Sequence, residues 1–172
     1  RIPMVFLTYA NPIFTYGRDK FFQQCRDVEI DGVIVPDVPF EEKATIAPEA
    51  EKYGVEIISM IAPTSHQRIQ SIAREAQGYI YLVSSLGVTG VRKEITTNLK
   101  EIVEKIREVS DKPIAVGFGI STPEQAKEMA EISDGAIVGS AIVKLCAQYG
   151  KDCVEPVKQY VKEMAEAVDE AK

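Results

Sequence analysis

Residues 117–121 read Gly117-Phe118-Gly119-Ile120-Ser121, and residues 139–144 read Gly139-Ser140-Ala141-Ile142-Val143-Lys144. Each segment directly follows a short apolar run, and the second opens a predicted short helix. Because glycine has no side chain, backbone N–H groups there can approach a ligand closely, and a helix N-terminus favours an anion. Barrel enzymes commonly build a phosphate site from the loops after their last two strands and such an extra helix. The two segments therefore predict phosphate-binding loops, with tight turns alone as the simpler alternative.

Short apolar runs rich in β-branched residues alternate along the chain with segments of helical period, a pattern typical of a parallel α/β sheet. The runs are nearly continuous, as expected for strands buried on both faces. The predicted strands cover 3–9, 32–35, 56–61, 79–83, 113–117 and 135–138. The predicted helices between them cover 18–27, 40–53, 67–76, 98–109 and 123–132. Thr122 is the predicted N-cap of the last of these, with Gln125 as its capping-box partner. A final helix is predicted from the apolar positions between Val154 and Val168 that share one side.

Six such βα units in 172 residues average about 29 residues each, so eight would need about 230, close to a complete (β/α)8 TIM barrel. The pattern therefore predicts one domain over 1–172. It is either an open doubly wound sheet or a barrel without its first two βα units, and the glycine loops favour the incomplete barrel. Arg1 leads straight into an apolar run, and we expect further sequence upstream of it.

Composition excludes several classes of protein. The net charge is −6 with no basic block, which makes nucleic acid and anionic membranes poor partners. No apolar run approaches the roughly 18 residues of a membrane helix, and no signal peptide opens the chain. The three cysteines form no C-x-x-C pair, so neither a disulfide framework nor a zinc site is predicted. We expect a reducing, cytoplasmic location.

Acid–base chemistry at the strand ends would need paired carboxylates, and Asp37 is the single well-placed candidate. Asp31 precedes its strand, at the end of a barrel associated with stability. No lysine falls on a predicted strand, which disfavours a Schiff-base aldolase. The lone His66 is predicted to be a surface residue, and no metal site is expected. The segment after the strand at 79–83 runs polar from 84 to about 98, with Gly87 and Gly90 as hinges, and is predicted to be a lid or an ordinary surface loop.

Six motifs, in order and at family spacing across nearly the whole chain, resemble the tryptophan synthase alpha chain family. They are Thr8-Tyr9-Ala10-Asn11-Pro12, Val35-Pro36-Asp37-Val38-Pro39, Gly78-Tyr79-Ile80-Tyr81-Leu82, Gly87-Val88-Thr89-Gly90 and the two glycine segments. The resemblance implies strands 3 to 8 of a (β/α)8 barrel.

The resemblance implies a lyase of tryptophan biosynthesis that splits indole-3-glycerol phosphate into indole and glyceraldehyde 3-phosphate by retro-aldol cleavage. The family's catalytic glutamate and aspartate match no position here, so this chain alone is expected to be inactive, with Asp37 and Tyr81 as supporting residues. No cofactor of its own is implied. The implied partner, in a heterotetramer, is a beta chain that uses pyridoxal phosphate and receives indole. Asn11 and Pro39, expected in loops at the carboxyl ends of the strands, are candidates for that interface.

The family's substrate contacts map onto nine positions of this chain. Tyr9 matches the indole end of the pocket, Tyr81 the glycerol hydroxyls, and Thr89 a lid residue. The phosphate site maps to Gly90, Gly117, Phe118, Gly119, Gly139 and Ser140. Many family members carry a basic residue where Ser85 stands, which is a departure in the lid region.

Two other functions remain open on the sequence alone. The absent carboxylates favour a non-catalytic phosphate-binding barrel fragment. A third hypothesis is another phosphate-binding barrel enzyme of aminosugar, histidine or tryptophan biosynthesis, which the Gly87-Val88-Thr89-Gly90 motif disfavours.

Overall fold

A computed structural model describes residues 1–84, 92–117 and 119–171. Its sheet has six parallel strands that lie side by side in chain order. They are β1 (Val5–Leu7), β2 (Gly32–Ile34), β3 (Glu56–Ile61), β4 (Gln77–Val83), β5 (Ile114–Gly117) and β6 (Gly135–Ile137). All six predicted strands are confirmed, with ends that shift by at most two residues.

Alternate residues of β4 show that the two faces of the sheet have different neighbours. Ile80 and Leu82 are buried in the cluster that includes the helices, whereas Tyr81 and Val83 belong to a separate cluster built from strand residues and Ala62, which directly follows β3. Val5 of the first strand and Ile137 of the last both pack against that second cluster. The sheet therefore curls around this inner face, as in a barrel wall.

All of the helices but the seventh contribute buried side chains to the clusters on the outer face. In chain order the helices are α1 (Ala10–Tyr16), α2 (Arg18–Asp27), α3 (Ala47–Lys52), α4 (Ile69–Arg74), α5 (Arg92–Arg107), α6 (Pro123–Ala130), α7 (Ser140–Tyr149) and α8 (Val154–Asp169). A doubly wound sheet reverses its strand order at a switch point and covers both faces with helices. The sequential order and one-sided helices agree with the predicted incomplete (β/α)8 barrel and rule out the open alternative.

Three helix predictions are wrong in detail. The helix predicted over 40–53 is a 3-10 helix (Phe40–Thr45) followed by α3, because Ile46 leaves helical geometry at φ −128°. The helix predicted over 67–76 likewise begins with a 3-10 helix (Pro63–Arg68) before α4. The helix predicted from 98 starts at Arg92, so the proposed lid is helical from there on.

One helix is absent from the predictions. The segment at Asn11 and Pro12 was expected to be a loop, but it forms the first turn of α1. Proline is tolerated there because the first N–H groups of a helix have no partner within it. No helix of the described ranges is long and apolar enough to cross a membrane.

Candidate functional site

The carboxyl ends of parallel strands meet at one edge of a sheet, and the predicted site residues that the structure describes lie along that edge. Tyr9 follows β1, Tyr81 lies near the end of β4, and Gly117 ends β5. Gly139 and Ser140 lie between β6 and α7. This is the edge at which barrel enzymes bind their substrates.

Tyr81 lies on the inner face and is only 7% exposed. A β-carbon at Gly117 would lie 2.6 Å from Cε1 of the Tyr81 ring and would overlap its phenol oxygen. Glycine at 117 therefore makes room for Tyr81, a reason that differs from the predicted close approach of a ligand. Burial raises the pKa of the Tyr81 phenol above its ordinary value of 10.0, so the hydroxyl stays neutral at physiological pH.

The loop after β5 is fixed by the start of α6. Thr122 and Gln125 form the predicted capping box: the Gln125 N–H donates to Oγ1 of Thr122, while Oε1 of Gln125 accepts from the Thr122 N–H. The same oxygen accepts the Ser121 N–H at 2.8 Å. Gly119 takes φ +77°, a left-handed conformation that glycine adopts without strain.

Tyr160 is a residue of this region that sequence reasoning missed. Its hydroxyl, carried on α8, donates to the Ser121 carbonyl at 2.8 Å and so connects α8 to the loop. The two residues are 39 positions apart, and no local pattern links them. Predicting this bond would require knowing that α8 packs beside the loop, which depends on the order of the strands in the sheet.

The start of α7 presents backbone donors. Gly139 is its N-cap residue, no side chain of the described residues caps the helix there, and Ser140 is exposed. Within the described part of the chain, a β-carbon at Gly139 would meet no atom within 4 Å. The N–H groups of the first helical turn and the helix dipole favour an anion at this position.

Asp37, the predicted supporting carboxylate, is exposed and binds the backbone of α1. The Ala10 N–H donates to its two oxygens at 2.9 and 3.2 Å. Asp37 thus caps the first residue of α1 from across the loop, next to Tyr9. Within four residues after each strand end, Asp37 is the one carboxylate in the ranges that the structure describes.

Several predicted residues lie outside the described residues: Thr89, Gly90, Phe118 and Ser85. Asn11 and Pro39 are exposed at the carboxyl edge, although Asn11 is helical rather than in a loop. His66 falls in the 3-10 helix Pro63–Arg68. The described parts of the chain contain no group of three or more potential metal ligands.

Comparison with known proteins gives one consistent family. The family model described as tryptophan synthase alpha chain matches residues 1–171. The tryptophan synthase alpha chain of Lacticaseibacillus casei is 47% identical over 99% of this chain, and that of Lactiplantibacillus plantarum is 47% identical over 98%. The chain spans 64% of the length of each of these two relatives.

Solved structures agree with the sequence relatives. The tryptophan synthase subunit alpha of Campylobacter jejuni superposes with a TM-score of 0.86 at 34% identity, over 95% of this chain and 65% of that one. A structure of the tryptophan synthase α2β2 complex of Pyrococcus furiosus matches with a TM-score of 0.82 at 31% identity, over 95% and 67% of the two chains. By sequence and by fold, this chain belongs to the tryptophan synthase alpha chain family.

Proposed function

We propose that this chain supplies the phosphate- and glycerol-binding part of a lyase that cleaves indole-3-glycerol phosphate to indole and glyceraldehyde 3-phosphate. The observation that carries the proposal is the convergence of three features at one sheet edge. They are the loop at Gly119, the uncapped start of α7 at Ser140, and the neutral phenol of Tyr81. Membership of the tryptophan synthase alpha chain family supports indole-3-glycerol phosphate as the proposed substrate.

The start of α7 is the proposed phosphate anchor. The N–H groups after Gly139 and the Ser140 hydroxyl would donate to phosphate oxygens, and the helix dipole would favour their charge. The loop at Gly119 supports this role because Gln125 and Tyr160 fix its backbone before any ligand arrives. Gly117 and the undescribed Thr89, Gly90 and Phe118 remain proposed contacts of the same site.

Tyr81 is the proposed partner of the glycerol hydroxyls. The neutral phenol can donate a hydrogen bond, and burial, which raises its pKa, keeps it in that form, so it would orient the substrate without removing a proton. Tyr9, exposed at the end of β1, would border the indole ring. Asp37 is a proposed positioning residue, because its oxygens already hold the backbone of α1 beside Tyr9.

The retro-aldol step needs one group to protonate the indole carbon that is released and another to take the proton of the adjacent hydroxyl. Asp37, the carboxylate at the described strand ends, accepts hydrogen bonds from α1. We therefore propose that the acid–base pair is supplied from outside these residues and that this chain alone binds without turnover. A phosphate-binding fragment with no catalytic role is the second candidate. It is favoured by the same observation, that the Asp37 carboxylate already accepts hydrogen bonds from the backbone of α1.

The proposed partner is a tryptophan synthase beta chain, in a heterotetramer such as the α2β2 complex solved for Pyrococcus furiosus. Exposed Asn11 and Pro39, at the same edge as the site, are the proposed contacts. The proposed location is the cytoplasm, since all three cysteines are free, as a reducing compartment would keep them.

The test is an assay of indole release from indole-3-glycerol phosphate. The chain is assayed alone and mixed with a polypeptide carrying the residues of the Lacticaseibacillus casei relative that the alignment leaves unmatched. We expect release only in the mixture, and a higher KM when the mixture contains Ser140→Asp. Release by the chain alone would contradict the proposal that the acid–base pair is supplied from outside these residues. Phosphate binding with no release in either sample would favour the binding fragment.

A further inference from the structure

The turn between α7 and α8 brings two cysteines together. Gly150 follows α7 with φ +53°, and its N–H donates to the Cys146 carbonyl. After a 3-10 turn (Gly150–Asp152), the Cys153 N–H donates to the Gly150 carbonyl at 3.3 Å. These two backbone hydrogen bonds fold the chain back on itself, so that Cys146 and Cys153 flank one short turn.

The two side chains are neighbours, and both reach the solvent. Cys146 is exposed and Cys153 is half-buried, and both are free thiols. The neighbouring Cys153 side chain is the main reason that the pKa of Cys146 is raised. Cys25, by contrast, is buried in α2 among the outer-face residues.

We propose that Cys146 and Cys153 are a dithiol modification site that closes to an intramolecular disulfide when it meets a low-molecular-weight disulfide. The geometry that supports this is a short turn with one thiol on each side of it, of which Cys146 is exposed to a small oxidant. The site is independent of the proposed lyase function, because neither cysteine belongs to the residues assigned there.

The reaction is two successive thiol–disulfide exchanges. The Cys146 thiolate attacks one sulfur of the small disulfide, forms a mixed disulfide and releases one small thiolate, which takes up the proton lost by Cys146. The Cys153 thiolate then attacks the Cys146 sulfur and releases the second small thiolate, which takes up the second proton. Two protein thiols are oxidised and one small-molecule disulfide is reduced to two thiols.

The sequence provides a direct readout. Lysines at 144, 151 and 158 place Cys146 and Cys153 on different tryptic peptides, 145–151 and 152–158. The full chain is incubated with oxidised glutathione at mildly alkaline pH, because the pKa of Cys146 lies above its ordinary value. The monomer band from a non-reducing gel is then digested and analysed by mass spectrometry. We expect the two peptides to be joined by a disulfide and to separate on reduction. Before reduction, only one of the three cysteines should react with an alkylating reagent.

The matched control is Cys153→Ser. Cys153 is the N-cap residue of α8, and serine is favoured at that position, so this substitution should preserve the start of the helix. This variant should keep glutathione on Cys146 and yield no joined peptides, which is the signature of a missing resolving thiol. The proposal is overturned if the wild-type chain retains a stable glutathione adduct on Cys146, or if joined peptides occur only in a dimer band.

Discussion

Tyr81 and Gly117 share one space at the carboxyl edge of the sheet. In the register of β4 and β5, Tyr81 lies opposite Ala115 and Val83 opposite Gly117, so the Tyr81 ring leans along the strands toward Gly117. The missing side chain at 117 is the reason that the phenol fits. Gly117, a glycine of the proposed phosphate loop, thus also sets the position of the Tyr81 ring on the neighbouring strand.

A double-mutant cycle tests this pairing. Gly117→Ala should lower the free energy of unfolding by about 1–3 kcal/mol, as expected when a methyl group overpacks a buried contact. In a Tyr81→Ala background most of that loss should vanish, because the ring that the methyl meets is gone. Urea unfolding of the four proteins gives the coupling energy.

Gly135→Ala is the matched control for this cycle. A β-carbon at Gly135, on the adjacent strand β6, would meet no atom of residues 1–84, 92–117 or 119–171 within 4 Å. Its cost should stay within about 0.5 kcal/mol, as for substitutions that touch no packed feature. Equal costs at 117 and 135, or additive effects of Gly117→Ala and Tyr81→Ala, would contradict the pairing.

At the scale of elements, the last helix supports the loop after β5 through one hydrogen bond. Tyr160→Phe removes the donor to the Ser121 carbonyl and should reduce the free energy of unfolding by about 0.5–1.5 kcal/mol. If the loop belongs to the site, affinity for glycerol 3-phosphate measured by calorimetry should fall as well. Tyr149→Phe, at an exposed tyrosine on α7, should change neither quantity. If Tyr160→Phe left the affinity for glycerol 3-phosphate unchanged, this loop would not be part of the binding site.

Helix α1 depends on a cap from a distant loop. Asp37→Ala leaves the Ala10 N–H without its partner and should destabilise the protein by about 1 kcal/mol, the usual cost of losing a helix cap. Asp37→Asn keeps an acceptor oxygen and should lose less. Hydrogen exchange should show faster opening of α1 in Asp37→Ala, and equal exchange in the two variants would argue against capping.

The sequence predicts the strands well and the contacts between elements poorly. Continuous apolar runs locate all six strands, and Thr122 with Gln125 marks the start of α6, because both signals are local. Helix α1 was missed because Asn11-Pro12 is typical of a loop, and the Asp37 carboxylate that caps it comes 27 residues later. The bond from Tyr160 and the fit of Tyr81 against Gly117 depend likewise on which elements are neighbours.

At the scale of the whole molecule, exposed apolar side chains lie at or beside the two edge strands of the sheet, β1 and β6. Within the described residues β1 and β6 are not paired with each other, and Leu7 on β1 is 58% exposed. At the other side, Val161 is 45% exposed beside a groove of about 370 Å³ between β6 and α8. Unpaired strand edges with apolar side chains promote association.

We therefore expect the isolated chain to self-associate with rising concentration, as measured by sedimentation velocity. Leu7→Lys should reduce the association, because a charged lysine on an edge strand opposes pairing with another chain. Val28→Lys introduces the same charge at a position of similar exposure at the end of α2 and should have little effect. A chain that stays monomeric at all concentrations would show that these sides do not attract each other.

The carboxyl edge of this sheet is proposed to bind the phosphate end of indole-3-glycerol phosphate. The most direct test is a titration of the ¹⁵N-labelled chain with glycerol 3-phosphate, followed by amide chemical shifts. Ser140→Asp serves as the control: a carboxylate at the start of α7 should stabilise that helix by about 0.3–1 kcal/mol yet repel phosphate. We expect saturable shifts centred on Gly119, Gly139 and Ser140, and we expect them to disappear in Ser140→Asp. Shifts centred at the opposite edge of the sheet, or equal binding by Ser140→Asp, would contradict this proposal.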